Sequence, residues 1–178
     1  MSRLSQINVN EATGVTADLF AAIKKAAGRV PNAYAAIGSH SPAALGATLS
    51  GDAILAKSSL EKADVEAIKL AVSEIAGCDY CAAAHTVVGK MVGLTQAQTQ
   101  QIRAGEATGN AKRDALVRFV RTVANTSGTV DQEVLNAVRE AGYTEQQVIE
   151  ALFAMSVINF TNLVNRVNDT TLDFPALV

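Results

Sequence analysis

The 178-residue chain has no tryptophan, two cysteines, two histidines and three prolines, and aromatic residues make up 4% of it. A β-sandwich draws on aromatic and Thr-rich strands, and this chain has few of either. No segment sustains a period-two alternation of apolar and polar residues, so strands are not expected. Charge of one sign is also missing: 15 basic and 17 acidic residues leave a net charge of −2. That leaves no basic footprint for nucleic acid. No uninterrupted apolar run approaches the roughly 18 residues of a membrane span, and no membrane association is expected. The opening MSRLSQINVNEATG lacks the apolar core of a secretory signal, which makes the cytoplasm the expected compartment.

What is abundant is aliphatic: hydrophobic residues reach 49%, enough for one domain with a full core of packed helices. The expected fold class is all-α, with about eight to nine helices. Residues 16–27 read as a helix stopped by Gly28 and Pro31, and a short helix is expected over 32–38. Ser41-Pro42 supplies an N-cap followed by proline at the first helical position, opening a helix to about residue 58. From Lys62 to Ala76, Val65, Ile68, Val72 and Ile75 recur at steps of three and four, the core stripe of an amphipathic helix. Gly77 suits a left-handed C-cap before a helix over 79–91, and Thr95 caps another to about 104. GEATGN at 105–110 has linker composition. Helices follow near 111–126, 131–141 and 145–167, and TTLDFPALV closes the chain in an extended piece. One domain over 1–178 then has three parts: 1–60, a core helical hairpin at 61–105, and 111–178.

An internal echo occurs at an offset of 49 residues. Gly93-Leu94-Thr95-Gln96 falls on Gly142-Tyr143-Thr144-Glu145, and Lys69-Leu70-Ala71 on Arg118-Phe119-Val120. A duplicated helical unit would explain it, with only the first copy carrying chemistry: Cys78, Cys81 and His85 face Ser127, Val130 and Val134.

Both cysteines of the chain and one of its histidines lie within GCDYCAAAHTVVGK, residues 77–90. On a helix beginning near Asp79, Cys81 and His85 are four apart and share a face, so imidazole can take the thiol proton. Cys78 sits at the helix start, where unpaired N–H groups and the dipole favour a thiolate. The spacing permits a disulfide, though one closing so short a loop adds little to stability. In a reducing compartment, a close pair points to catalysis or metal binding. A redox dithiol, three ligands of a zinc site, a disulfide-exchanging relay and plain core packing all remain open. Haem attachment is excluded by Ala82, which stands where a histidine is required, and a thioredoxin fold by the lack of strands. A base histidine needs an orienting group, and Glu66 and Glu74 both lie off the apolar stripe of the preceding helix, with Leu70 between them. Helical angle does not choose between the two acids. A buried Leu70 would mean that this second face is covered, for example by another subunit.

The stretch EAIKLAVSEIAGCDYCAAAHTVVGKMVGLT, Glu66 to Thr95, resembles the core of the AhpD alkylhydroperoxidase family within the carboxymuconolactone decarboxylase-like superfamily. The shared pattern is a Glu twelve residues before CxxC and a His four after its second Cys; Glu66, Cys78, Cys81 and His85 all fit it. VPNAYAAIGSHSP and NRVNDTTLDFP are also similar to peroxidase-related members. The resemblance implies an AhpD-like helical fold, a homo-oligomer (dimer, trimer or hexamer), and a peroxidase without metal, haem or other cofactor beyond a Cys78–Cys81 disulfide. It implies Cys81 as the peroxidatic thiol, Cys78 as the resolving thiol, His85 and Glu66 as the proton relay, a peroxide as substrate, and a thiol or lipoyl-type protein as reductant. Tyr80 stands where the best-known relatives have a second histidine, and its expected job is packing. The decarboxylase branch lacks the cysteine pair, which argues against lactone decarboxylation here. His40 reads as a solvated loop residue. Leu70, with Val87, Val88, Met91 and Val92, reads as an apolar face for oligomer contact.

Overall fold

The structure, a computed structural model, describes residues 2–177. Among them the regular structure is entirely helical: α1 (Gly14–Ala27), α2 (Asn32–His40), α3 (Pro42–Leu55), α4 (Lys62–Ile75), α5 (Asp79–Met91), α6 (Gln96–Ala104), α7 (Ala111–Thr126), α8 (Gln132–Glu140) and α9 (Glu145–Asn168), preceded by one 3-10 turn at Val9–Glu11. The expected all-α class holds, and most helix bounds agree to within two residues. The stops and starts have the local causes anticipated. Ser41 Oγ accepts from the Ala44 N–H, and Gly28 and Gly77 take positive φ of 77° and 63° where α1 and α4 end. α3 ends at Leu55, short of residue 58, because Lys57 and Ser58 turn back to bond the Ile54 and Leu55 carbonyls.

α4 is the axis of the fold, packed by α5, α6, α7 and α9. Every residue from 64 to 73 is buried. The stripe Val65, Ile68 and Val72 accounts for one face; the opposite face, with Leu70 at 0% exposure, is covered as well. That cover comes from the chain's own helices, so Leu70 is core and no part of an oligomer surface. Surrounding α4 buries its own polar side chains Asp64, Glu66, Lys69 and Ser73, and each of the four finds a partner, as burial requires. Asp64 accepts from Arg113 Nε of α7 at 2.7 Å and from the Tyr143 hydroxyl at 2.8 Å, pinning α4 between α7 and the start of α9. Ser73 donates to Asn162 of α9 at 3.1 Å.

The echo at 49 residues has a structural counterpart. α4 begins at Lys62 and α7 at Ala111; α6 begins at Gln96 and α9 at Glu145. Thr95 with Gln98, and Thr144 with Gln147, form the same reciprocal capping box. Preceding each is a glycine of positive φ, Gly93 at 104° and Gly142 at 97°.

α9 is the one helix among the described residues long and apolar enough to cross a membrane by length and composition alone. Its inner face carries Ala151, Ala154, Ile158 and three buried asparagines, Asn162, Asn165 and Asn168, and packs on α4. Its outer face leaves Ile149, Leu152, Phe153, Phe160, Leu163 and Val167 exposed.

Candidate active site

The turn between α4 and α5 brings the two cysteines together. Cys78 is the N-cap of α5; its sulfur accepts from the Cys81 N–H at 3.3 Å, and the two sulfurs form a disulfide. Both residues are 3% exposed. Gly77 permits the geometry: with φ of +63° it reverses the chain after α4, and the Cys78 N–H returns to the Ser73 carbonyl at 2.9 Å.

One turn beyond Cys81, His85 Nδ1 lies 2.7 Å from Glu66 Oε2. This settles the choice between acids that helical angle left open. Glu66 is buried and faces α5, whereas Glu74 pairs with Arg103 of α6 at 2.7 Å. Burial by itself would raise the Glu66 carboxyl. The charge and hydrogen bond of His85, then the charge of Lys69, outweigh it and hold Glu66 below its ordinary value. Lys69, also buried, puts Nζ 3.9 Å from Glu66 Oε1 and 2.8 Å from Asp52 Oδ1, and the Tyr34 hydroxyl donates to Asp52 Oδ2 at 3.1 Å. Burial and the neighbouring Asp52 push the Tyr34 hydroxyl well up, so it stays a donor. A chain of polar groups thus runs from His85 through Glu66, Lys69 and Asp52 to Tyr34, and only the first two were legible as a pair.

Two cavities meet at His85. One, of about 420 Å³, is lined by the charged chain, Asp52, Glu66 and Lys69, and by Lys62. The other, of about 250 Å³, is largely apolar and is lined by Cys81, Ala33, Tyr80 and Phe174, and by Arg29. His85 and Tyr34 line both. Cys81 lines the apolar cavity and Cys78 does not. Among the described residues no three His, Cys, Asp or Glu side chains gather as ligands for a metal.

Tyr80 does more than pack. Its ring meets Phe174 edge-on at 5.5 Å, and its hydroxyl accepts from the buried Ala33 N–H at 3.1 Å and donates to Asp173 Oδ1 at 2.6 Å. Asp173 also takes Arg29 and the Asn32 N–H, at 3.0 Å, so the extended tail is strapped across the site. Tyr80→Phe leaves the Ala33 N–H without a partner, which costs about 1–3 kcal/mol. A thermal midpoint lower by roughly 2–10 °C is expected for a chain of this size; an unchanged midpoint would make the hydroxyl dispensable. His40 ends α2 instead of standing in a loop, and its Nε2 bonds the Ser5 carbonyl at 2.7 Å, away from the cysteines.

Asn165 is the residue the sequence did not single out. From α9 its Nδ2 donates to Cys81 Sγ at 3.3 Å. Its only signal was a place at the head of NRVNDTTLDFP, where nothing in the pattern says that α9 crosses over α5.

Residues 42–116 match the profile of the carboxymuconolactone decarboxylase family. In structure the chain is similar to a peroxidase-related protein of Ralstonia eutropha JMP134 described as an alkylhydroperoxidase AhpD core. That match has a TM-score of 0.87 at 20% identity, over 97% of this chain and 92% of that one. A peroxidase-related protein of Silicibacter sp. TM1040 superposes with a TM-score of 0.79 at 20% identity, over 95% and 92% of the two chains. The debrominase Bmp8 does so with a TM-score of 0.81 at 17% identity, over 96% and 92%. No curated protein matches the chain in sequence.

Proposed function

We propose that this is an AhpD-like protein of the carboxymuconolactone decarboxylase superfamily and a cytoplasmic thiol peroxidase working through Cys78 and Cys81. The observation that carries the reading is the Glu66–His85 bond, one helical turn from a Cys78–Cys81 pair close enough to be a disulfide. Glu66 accepts the Nδ1 proton of His85, which leaves Nε2 as the nitrogen free to take the Cys81 proton. The Cys81 thiolate attacks the outer oxygen of the hydroperoxide; the O–O bond breaks, and the alcohol leaves with the proton held by His85. Cys81 is then a sulfenic acid. The Cys78 thiol attacks its sulfur, forming the disulfide and releasing water. A dithiol reductant, of lipoyl or protein type, returns two electrons and two protons. No step calls for a metal, haem or other cofactor.

A stopped-flow experiment tests this: reduced protein mixed with an organic hydroperoxide should lose both thiols rapidly, in step with one equivalent of alcohol formed. Slow loss with both thiols intact would favour a disulfide-exchanging relay. A second reading rests on the apolar cavity of about 250 Å³ at Cys81, whose lining includes Tyr80 and Phe174. Bmp8 is a debrominase and has been seen, as a cysteine-to-alanine variant, with 2,3,4-tribromopyrrole. A dithiol supplies the two electrons of that chemistry too, converting C–Br to C–H with release of bromide and formation of the disulfide. Bromide release from a brominated pyrrole, without alcohol formed from hydroperoxide, would transfer the assignment to it.

The proposal includes a homo-oligomer. The surfaces available are the outer stripe of α9 and, on α5, Val88 and Met91, of which Met91 is 80% exposed. A run of exposed apolar side chains along a 24-residue helix is more than a monomer ordinarily leaves in water. Sedimentation at micromolar concentration should show a dimer or larger, and Phe160→Glu should shift it towards monomer. A monomeric parent protein would remove this part of the proposal.

A further inference from the structure

The two sulfurs draw on different donors. The helix terminus serves Cys78: the Cys81 N–H, third in the helix, points back to Cys78 Sγ at 3.3 Å. Cys81 lies inside the first turn, and its own N–H is spent on its neighbour. It is 3% exposed, so water offers its sulfur little, and a buried thiol without donors resists ionising. Backbone electrostatics alone would therefore make Cys78 the thiolate. Asn165, on α9, reverses the balance. Its Nδ2 lies 3.3 Å from Cys81 Sγ; the residue is 4% exposed, and its Oδ1 has no hydrogen-bond partner. An asparagine kept for packing alone would be expected to satisfy its carbonyl. This one leaves the carbonyl unpaired and aims its amide at a sulfur.

We propose that Asn165 is a catalytic residue: its amide holds negative charge on the Cys81 sulfur in both halves of the cycle. A disulfide sulfur is a weak acceptor, whereas a thiolate is a strong one, so the donor is set in advance for a charge the oxidised state does not carry. In the forward half it keeps Cys81 as the attacking thiolate. In the return half a thiolate of the dithiol reductant attacks Cys78 Sγ and the Cys78–Cys81 bond breaks. The electron pair then leaves on Cys81 Sγ against the same N–H. The reductant's second thiol closes its own disulfide and frees Cys78, which takes up a proton. Being neutral, the amide works at any pH, unlike His85. The inference rests on the dithiol reading above but not on which substrate the dithiol reduces.

The test isolates Cys81 in a Cys78→Ser background, where serine keeps the α5 N-cap. Iodoacetamide alkylation is followed against pH in this parent and with Asn165→Asp or Asn165→Leu added, folding being checked by circular dichroism. Aspartate keeps the shape and replaces the donor by an acceptor; leucine keeps the approximate volume without a charge. Each folded variant should move the Cys81 titration upward by about one pH unit or more, and slow alkylation at neutral pH about tenfold. A folded Asn165→Leu protein whose Cys81 titrates with the parent overturns the proposal. Because alkylation reads thiol acidity and not turnover, a failed peroxide assay leaves this result standing, and the reverse.

Discussion

Cys81→Ser abolishes peroxide turnover, by roughly three orders of magnitude or more, while Cys78→Ser gives one turnover and stops. The contrast follows from the positions of the two sulfurs. Cys81 lines the apolar cavity, shares a helical face with His85 and receives the Asn165 amide. A serine hydroxyl there has no accessible anion at neutral pH, and removing a nucleophile typically costs activity on this scale. With Cys78 replaced, Cys81 still attacks and its sulfur gains one oxygen, but no neighbouring thiol removes it. Mass spectrometry of each variant after one equivalent of hydroperoxide reads the difference directly: no added oxygen on Cys81→Ser, one on Cys78→Ser. Neither change should cost much stability through the lost disulfide, because the loop it closes is so short. The opposite pattern, with Cys78 oxidised and Cys81→Ser active, would mean that the N-terminal end of α5 outweighs His85 and Asn165, and the two roles would exchange.

The helices were legible because their punctuation is local. Ser41-Pro42, Gly77, Thr95 and Thr144 act through their own backbone and their nearest neighbours, and no tertiary contact is needed to read them. The CxxC and His85 were legible for the same reason, since all three ride on α5. What depends on a second helix was not. Periodicity marks one face of α4 and cannot show that the other is buried inside the same chain, so in sequence Leu70 reads as part of an oligomer contact. Nor does it separate Glu66 from Glu74; the resemblance chooses Glu66, and the packing of α4 on α5 gives that acid to His85 and leaves the other to Arg103. Asn165, Lys69 and Asp52 reach the site from or through contacts between elements, and polar residues in a helix pattern ordinarily read as solvent-facing. Tyr80 reads as packing in the sequence because its hydroxyl partners, the Ala33 N–H and Asp173, lie 47 and 93 residues away.

His85→Ala lowers kcat/KM about 100- to 10,000-fold near neutral pH, and Glu66→Gln, which leaves the base in place, lowers it by a smaller factor. Glutamine keeps the shape and can still accept the Nδ1 proton, but it brings no charge to favour the imidazolium that forms when His85 takes the thiol proton. Both deficits should shrink as pH approaches the ordinary thiol value of about 8.5, where Cys81 ionises without a base. Stability runs the other way along the pH axis. The fold holds Glu66 below its ordinary carboxyl value. Its pairing with His85 and Lys69 therefore contributes fully above that ordinary value, and is lost as pH falls through the depressed one. Urea unfolding should show the parent protein losing more stability than Glu66→Gln on acidification below about pH 4.5, although it is the more stable of the two at neutral pH. A Glu66→Gln rate profile parallel to the parent at every pH would detach Glu66 from the proton path. Its bond to His85 would then serve only to seat the ring between the two cavities.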